Sequence, residues 1–441
     1  MNRRIEDKIL QTIIVIITLV MTILRFLLNE KGGVSPDSIR FMRTAEVFPI
    51  IDNTTAPLGY PLSLKLFTYF GIELFWASKI VGILAVLFII YFAGEKKFYH
   101  KETIITTALF SFVSIFSFTL SEALILPFVF LFVYVARQII ICQLQGYKAF
   151  FLLSLLLIAL FNIRYPAVFF MGATFLFGML NFKKTHYSKI FMLAGLAGDV
   201  FVIIYKLLFI NHFNENYIEN FLEIGLHPTS KLITEFFQGI LTTFNPFIHI
   251  ANPSGGIINY GIYGVGFISI AIIVYIFIKS DFSESEKFLI FTGLFGIICS
   301  FFIQYFYSVD AINYRLLAPF SFPIWLVFFR KLWSFIGKYT YIIPILSLLT
   351  GLAFIILSHG NYLDNRKAIT NFLEEENLKN VPLKFFIENE KELDKIQIAE
   401  LISTVNPNIK ITFTPKDTLQ KTTLTQYKVL QKVKIDTNKF Q

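Results

Sequence analysis

Charged residues, cysteines and histidines are all scarce in this chain of 441 residues. Charged residues make up 16% of the sequence, whereas a soluble domain carries about a quarter, so the chain as a whole is not a soluble globular protein. Its two cysteines, Cys142 and Cys299, lie far apart, which excludes a disulfide framework and a cysteine-based metal site. The six histidines are scattered as widely and show no metal-ligand spacing.

Long apolar runs are what the chain has in abundance. Hydrophobic residues make up 55% of the sequence, and they form uninterrupted blocks, as in helices surrounded by lipid. About eleven blocks approach the roughly 20 residues needed to cross a bilayer. They fall near 9–28, 72–93, 103–120, 122–141, 149–163, 166–181, 189–210, 261–278, 288–307, 314–329 and 339–357. The sequence therefore predicts an all-α polytopic membrane protein over residues 1–357.

The distribution of Lys and Arg predicts the orientation. The net charge is +9, but the cations lie in short loops between apolar blocks, so no nucleic acid partner is expected. They are concentrated on the side of the N-terminus, which predicts that the N-terminus is cytoplasmic. An odd number of crossings places residues 358–441 outside the cytoplasm, with two long outer loops at 29–71 and 211–260. Abundant Phe, Ile, Asn and Lys are typical of an AT-rich bacterial genome, so we expect a bacterial cytoplasmic membrane.

The last part of the chain differs in composition from the rest. Beyond residue 360 it is rich in Lys, Glu, Asn and Thr, and it contains no glycine-rich phosphate loop. Helical periodicity covers 364–380 and 393–405, while 383–388, 409–414 and 426–435 have the pattern of strands. Helices that alternate with strands predict a small soluble α/β domain over 358–441.

Two acids stand out on the predicted outer face, where a charge at the membrane is a functional hypothesis. Asp37 follows Pro36 at the position of an N-cap, ahead of a short interfacial helix. Glu122 opens another helix at the same face, where an acid is favoured by the helix terminus. Each acid is predicted either to cap its helix or to face a cavity. In a cavity, Asp37 could accept a proton from an incoming hydroxyl or amine.

Two arginines are predicted on the same face as the acids. Arg164 occupies a tight turn, and Arg315 lies in the polar segment 310–319. A single arginine can extend to the lipid headgroups, but guanidinium groups also bind phosphate oxygens bidentately. Acids and guanidiniums together therefore favour an anionic, phospholipid-like substrate with a phosphate leaving group.

At these residues the chain resembles the membrane-embedded GT-C glycosyltransferases, especially the branch of protein O-mannosyltransferases and the lipid A aminoarabinose transferase. That branch carries an essential acid in the pattern Asp-Glu-x-x-Tyr-x-x-x-Ala, with Asp37 and Ala45 as counterparts here. Ser38 replaces its second acid and Phe41 its tyrosine. A lysine that often precedes the proline pair of the family is Ala56 in this chain. The segments that carry the resemblance are 37–45, 56–62, 119–122 and 315–320.

The resemblance implies transfer of a sugar from a polyprenyl-phosphate donor to a lipid, glycan or protein acceptor, with inversion at the anomeric carbon. It implies Asp37 as general base and Glu122 as a second catalytic acid that positions the acceptor or assists the base. No cofactor is expected, although a divalent cation stays open. The residues assigned to the donor phosphate are Arg164, Arg315 and Lys65, and those assigned to the substrate pocket are Arg40, Tyr60, Tyr165 and Tyr314.

A multispanning transporter or lipid flippase is the main alternative. Transporters often contain inverted repeats and polar sites near the midplane, whereas this sequence shows no clear repeat and its polar groups lie at one face. An O-antigen polymerase or ligase would need several arginines in a late outer loop, and 211–260 has none. A structural scaffold would not account for the acids at the outer face.

Overall fold

The computed structural model of the chain describes residues 2–29, 31–52, 56–182, 185–215, 222, 228–249, 256–307, 311–389, 392–431 and 433. Parts of the predicted loop 211–260 and of the predicted strand 426–435 lie outside these ranges, as does Asp310. Helices make up most of the described residues, and a single small sheet lies near the end of the chain.

The first part of the chain is a bundle of apolar helices. Its helices are α1 (Asn2–Leu27), α2 (Pro36–Val47), α3 (Gly59–Thr68), α4 (Leu74–Glu95), α5 (His100–Thr107), α6 (Phe110–Ser117), α7 (Ser121–Ile140), α8 (Gly146–Ile163), α9 (Val168–Leu180), α10 (Ser188–Tyr205), α11 (Asn211–Phe213), α12 (Thr229–Thr243), α13 (Ile257–Ile278), α14 (Glu284–Phe306), α15 (Tyr314–Ile336) and α16 (Ile342–Leu357). A π-helical turn joins α10 to α11, and a 3-10 turn joins α15 to α16.

Eight stretches of the described residues are long and apolar enough to cross a membrane. They are Asp7–Leu27, Leu74–Glu95, Ser121–Ile140, Gly146–Ile163, Ser188–Phe213, Ile257–Ile278, Glu284–Phe306 and Tyr314–Leu357. The last stretch contains both α15 and α16, and Tyr165–Leu180 is a shorter apolar segment. The chain is therefore a multi-pass membrane protein, and the number of eleven crossings stays a prediction.

The predicted transmembrane segment 103–120 is not one continuous helix. The structure divides it into α5 and α6, which separate around Ala108 and Leu109. Such a break frees backbone groups that need partners inside a membrane. The buried hydroxyl of Ser347 is the partner of one of them, since it accepts from the Phe110 N–H at 2.8 Å, and the same hydroxyl donates to the Pro246 carbonyl at 2.5 Å. The prediction of a single helix failed because this partner is distant in sequence.

Helices α7 and α15 form the centre of the bundle. Helix α7 packs against α4, α8 and α15, and α15 also packs against α5 and α14. Gly293 and Gly296 of α14 allow close approach, because a Cβ at either position would collide with Phe320 or Ile324 of α15. Both central helices are closely packed on several sides, and each carries a predicted site residue at its first turn.

The C-terminal domain contains a three-stranded parallel sheet. Its strands are β1 (Leu383–Phe386), β2 (Ile409–Thr412) and β3 (Thr423–Leu424), in the order β2-β1-β3. Helices α17 (Tyr362–Glu375), α18 (Leu393–Ser403) and α19 (Gln426–Leu430) complete the domain. The predicted α/β character is confirmed, but the strand predicted from residue 426 is wrong. Thr425 caps a helix there, because its side chain accepts from the Lys428 N–H at 3.2 Å.

The C-terminal domain docks onto the bundle end that carries α2. Helix α18 packs against α2, and Nη1 of Arg43 donates to the side chain of Asn408 at 2.8 Å. Arg366 forms an ion pair with Glu73. The backbone at Gly32 has a φ of +57° and lies against the ring of Tyr362, so only glycine fits there. Helix α2 is thus enclosed between the bundle and the C-terminal domain.

Candidate active site

Asp37 lies in the first turn of α2 and does not cap it. The N-cap is Ser35, whose N–H donates to the hydroxyl of Ser38 at 3.0 Å. The capping alternative for Asp37 is therefore wrong, because two serines occupy that role. The Asp37 carboxylate is 40% exposed and accepts from Nη2 of Arg315 at 3.2 Å. Its other oxygen lies 3.9 Å from Nη1 of Arg40.

Glu122 lies in the first turn of α7 and is almost completely buried. Its side chain is 3% exposed, and Oε1 lies 3.0 Å from Nη1 of Arg164 and 3.1 Å from Nε of Arg315. The hydroxyl of Ser121 donates to Oε2 at 3.2 Å. A buried carboxylate is unfavourable unless opposite charges compensate it. The two guanidiniums provide that compensation, so Glu122 is an ion-pair partner rather than a helix cap.

Asp37, Glu122, Arg164 and Arg315 therefore form one acid–arginine cluster. Arg315 is its bridge, because its guanidinium contacts both carboxylates. The side chains of Arg164 and Arg315 are 12% and 15% exposed. Within the cluster, Asp37 is therefore the side chain most accessible to solvent, and Glu122 is the least accessible. Within the described residues, no group of three or more His, Cys, Asp or Glu side chains could hold a metal ion. The positive charge between the two acids is that of Arg315.

Helix ends bring the two arginines to the cluster. Asn313 is the N-cap of α15, and its side-chain oxygen accepts from the N–H groups of Arg315 and Leu316 at 3.0 and 3.3 Å. Arg164 is the C-cap of α8, and its N–H donates to the Leu160 carbonyl at 2.9 Å. The negative end of a helix dipole favours a cation at that position. Sequence order alone does not show that these two helix ends meet.

Thr119 bonds the segment before Glu122 to the segment around Asp37. Its N–H donates to the Gly33 carbonyl at 2.8 Å, and its own carbonyl accepts from the Ser38 hydroxyl at 2.7 Å. These two bonds fix the first turn of α2 against the start of α7. The backbone of Thr119 thus helps to fix the relative position of the two acids, together with the guanidinium of Arg315.

Lys79 supports the same junction from inside α4. It is 2% exposed, and Nζ donates to the Gly32 carbonyl, the Ser117 carbonyl and the Thr119 hydroxyl at 2.7, 3.0 and 2.9 Å. Sequence analysis missed this residue. A lone lysine inside the apolar block 72–93 was the available signal, because a cation in such a block needs partners.

The two predicted site residues on α3, Tyr60 and Lys65, do not line the solvent-accessible side of the cluster at Asp37. Tyr60 is fully buried, with its ring edge against Phe41 at a centroid distance of 5.1 Å. Burial is the main cause that raises the pKa of Tyr60, and the charge of Glu122 raises it further. Lys65 donates to the Glu46 carbonyl at 3.2 Å. Since Glu46 is nine residues from Asp37 in one helix, about 13 Å separate them, and the structure does not bring Lys65 to the cluster.

Tyr165 and Tyr314 each adjoin an arginine of the cluster. The ring of Tyr165 packs against Phe161 at 5.2 Å between centroids. The ring of Tyr314 lies 4.1 Å from that of His249, which is 3% exposed. Both tyrosines are half-buried, and these ring contacts are with neighbouring aromatic side chains of the bundle.

Glu400 of α18 is a buried acid that sequence analysis missed. It is 6% exposed and belongs to the helix that packs against α2. Burial is the main cause that raises the pKa of Glu400 to about 8; the charge of Asp37 raises it further, and Lys31 lowers it. The C-terminal domain therefore brings a third carboxyl group within electrostatic reach of Asp37. No sequence signal identified Glu400, because its position depends on domain docking.

No protein-family model matches the chain, and no curated protein sequence matches it. Among solved structures, the chain is similar to the Archaeoglobus fulgidus oligosaccharyltransferase, whose crystal structure has a tethered acceptor peptide containing the NVT sequon. The TM-score is 0.50 at 11% sequence identity, and the match covers 92% of this chain and 64% of that one. The chain thus spans less than two thirds of the archaeal enzyme. The likeness shows a fold shared with that transferase, while membership of the GT-C glycosyltransferases and of their O-mannosyl and aminoarabinose transferase branch stays a prediction.

Proposed function

We propose that the chain is a membrane glycosyltransferase that transfers a sugar from a polyprenyl-phosphate donor to a lipid, glycan or protein acceptor. The reaction would take place at the outer face of a bacterial cytoplasmic membrane. The observation that carries the proposal is one guanidinium, Arg315, shared by a partly exposed acid, Asp37, and a buried acid, Glu122. The fold in common with an oligosaccharyltransferase supports the same reaction class.

Asp37 acts as the general base in this proposal. Its carboxylate is 40% exposed, so an acceptor hydroxyl or amide can approach within hydrogen-bonding distance. The acceptor oxygen or nitrogen forms a bond to the anomeric carbon and gives its proton to Asp37. The bond from that carbon to the phosphate oxygen breaks, and its electron pair leaves with the polyprenyl phosphate. Attack from the face opposite the phosphate inverts the anomeric configuration.

The arginines stabilise the phosphate leaving group. Guanidinium groups match phosphate oxygens in geometry and charge, and charge that develops during bond breaking is best met by fixed donors. Arg315 is the first candidate because Nη2 lies on the open side, next to Asp37. When the donor phosphate accepts the hydrogen bond from Nη2 of Arg315, Asp37 loses that bond and its carboxylate can accept the proton of the acceptor. Arg40 adds a further cation that is 52% exposed, whereas Lys65 of α3 has no part because it contacts the end of α2 that is far from Asp37.

Glu122 serves the reaction through the arginines. Its 3% exposure leaves little access for an acceptor, and both guanidiniums contact the same oxygen. A preorganised donor pair loses less free energy on binding than a flexible one. Glu122 therefore holds Arg164 and Arg315 in the orientation that receives the phosphate.

The test is a transfer assay with membranes that contain the full chain. Polyprenyl-phosphate hexoses and pentoses, each labelled in the sugar, are offered with a membrane extract as acceptor source. The proposal predicts release of polyprenyl phosphate with transfer of label, and inversion of the anomeric configuration in the product. Movement of intact donor across the bilayer without cleavage would instead identify a flippase.

A further inference from the structure

A cavity of about 830 Å³ opens in the C-terminal domain, apart from the acid–arginine cluster. It lies beside Phe386 at the end of β1 and Glu388 just after it, and beside Thr425 and Gln426, which follow β3. Pockets for small molecules have volumes of roughly 300–1,000 Å³. The cavity is therefore large enough for a ligand of several rings.

The strand topology places this cavity where parallel sheets bind ligands. From β1 the chain passes to β2 on one side, and from β2 it crosses to β3 on the other side. The strand order thus reverses at β1. In open parallel sheets, ligands bind outside the carboxyl ends of the strands at such a reversal. The cavity lies at the carboxyl ends of β1 and β3, so its position and the topology agree.

The cavity lies on the side of the sheet that is remote from the bundle. Asn408, which precedes β2, bonds to Arg43 of α2, so the amino ends of the strands face the bundle. The carboxyl ends therefore point away from it. A ligand would enter from the aqueous phase, which excludes a membrane lipid as the natural occupant.

The side chains around the cavity carry little net charge. Lys395 is the cation of the lining, and Nζ lies 2.7 Å from Glu392 and 3.7 Å from Glu388. Because its charge is compensated, Lys395 is a poor anchor for phosphate or for a nucleotide. An uncharged ligand fits this lining better than an anion does.

The remaining lining suits a ligand with many hydroxyl groups. Gln426 and Gln431 each offer both a donor and an acceptor, which can pair with neighbouring hydroxyls. Tyr427 is 76% exposed, and its ring provides a flat apolar surface with a polar tip. Phe386 adds a second, half-buried ring. Amide groups together with open aromatic rings match the polar edges and apolar faces of sugar rings.

We infer that this cavity binds an uncharged oligosaccharide. The inference rests on the cavity, its topology and its lining, and it does not require transferase chemistry at Asp37. Two distinct sites then lie in one protein: a charged site between α2, α7 and α15, and a neutral glycan site at the carboxyl edge of the sheet.

Calorimetry on the full chain tests the inference, in a detergent whose headgroup is not a sugar. The probes are maltotriose, chitotriose and mannotriose, with inorganic phosphate and ADP as anionic comparisons. At least one trisaccharide should bind with a Kd below about 1 mM. Tyr427→Ala should raise that Kd about tenfold or more, while Tyr427→Phe, which keeps the ring, should retain binding.

A matched control is Tyr147→Ala, since Tyr147 is 79% exposed and lies on α8, outside the cavity. It should leave the Kd unchanged, and so should Asp37→Asn, which separates this site from the proposed catalytic one. The inference is overturned if none of the trisaccharides binds, if Tyr427→Ala binds as well as the unmodified chain, or if phosphate or ADP displaces the sugar.

Discussion

The hydroxyl of Ser38 donates a hydrogen bond to the backbone carbonyl of Thr119 at 2.7 Å. This contact joins two segments that are 81 residues apart in sequence. Ser38 follows the proposed base, and Thr119 precedes the turn that carries Glu122. The geometry of the acid–arginine cluster therefore depends on a bond made by neither acid.

Ser38→Ala should lower the turnover rate while it leaves the apparent affinity for the donor nearly unchanged. Loss of the hydroxyl lets the first turn of α2 shift relative to α7, and a small displacement of a catalytic group lowers the rate by about tenfold to a hundredfold. The measurement is kcat and donor KM in the transfer assay. Ser63→Ala is the control, because the Ser63 hydroxyl bonds only within its own helical turn, to the Tyr60 carbonyl at 2.6 Å. Equal rates for the two variants would mean that the Ser38 contact has no positioning role.

Arg315→Lys should weaken use of the donor. A lysine keeps the charge but lacks the planar fork that contacts both acids and could receive two phosphate oxygens. The lost charged hydrogen bonds predict a rise in donor KM of roughly tenfold to a hundredfold. Lys65→Ala is the comparison, since Lys65 of α3 contacts the end of α2 that is far from Asp37, and this variant should have no effect. A variant at Lys65 that impairs donor use as strongly as Arg315→Lys would return Lys65 to the phosphate site.

Glu400 should make the stability of the protein depend on pH. Its pKa is raised from 4.5 to about 8 in the folded chain, mainly by burial. Below pH 4.5 the carboxyl is protonated in both states and contributes no difference. As the pH rises from 4.5 to 8, the unfolded chain ionises Glu400 while the folded chain keeps it protonated, so the free energy of unfolding falls. Above pH 8 the contribution is constant, at a loss on the order of a few kcal/mol.

Glu400→Gln should remove this contribution, because an amide does not ionise. The melting temperature of the unmodified chain in detergent is expected to fall between pH 5 and pH 8, and that of Glu400→Gln to fall less. Glu374→Gln is the control, since Glu374 is 54% exposed and pairs with Lys379. If the two variants share one pH profile with the unmodified chain, Glu400 is ionised in the folded protein.

Much of the fold could be predicted from the sequence because lipid imposes a strong constraint. Apolar blocks predicted most of the long apolar helices, and the helix that begins at Pro36 was predicted from its Pro and its apolar spacing, whereas α3 and α12 lie in segments that were predicted as loops. The break between α5 and α6 could not be predicted, since it depends on the hydroxyl of Ser347. The strand expected from residue 426 failed for a local reason, as Thr425 caps a helix instead.

The cluster itself was the harder prediction. Charge at one membrane face identified Asp37, Glu122, Arg164 and Arg315, and the structure brings these four together. Neutral or buried partners carry no such signal. The signal for Lys79 was of a different kind, a lone cation inside an apolar block, whereas Glu400 could not be identified because its position depends on domain docking.

The central claim is that Asp37 removes the acceptor proton, and Asp37→Asn tests it most directly. Asparagine keeps the size and the contact with Arg315 but cannot take a proton, so the single-turnover rate of sugar transfer should fall about a thousandfold. Asp52→Asn is the matched control, because Asp52 pairs with Arg43 outside the cluster and should transfer sugar at the normal rate. Full transfer activity in Asp37→Asn, in protein with unchanged membrane insertion and melting temperature, would contradict the assignment of Asp37 as the base.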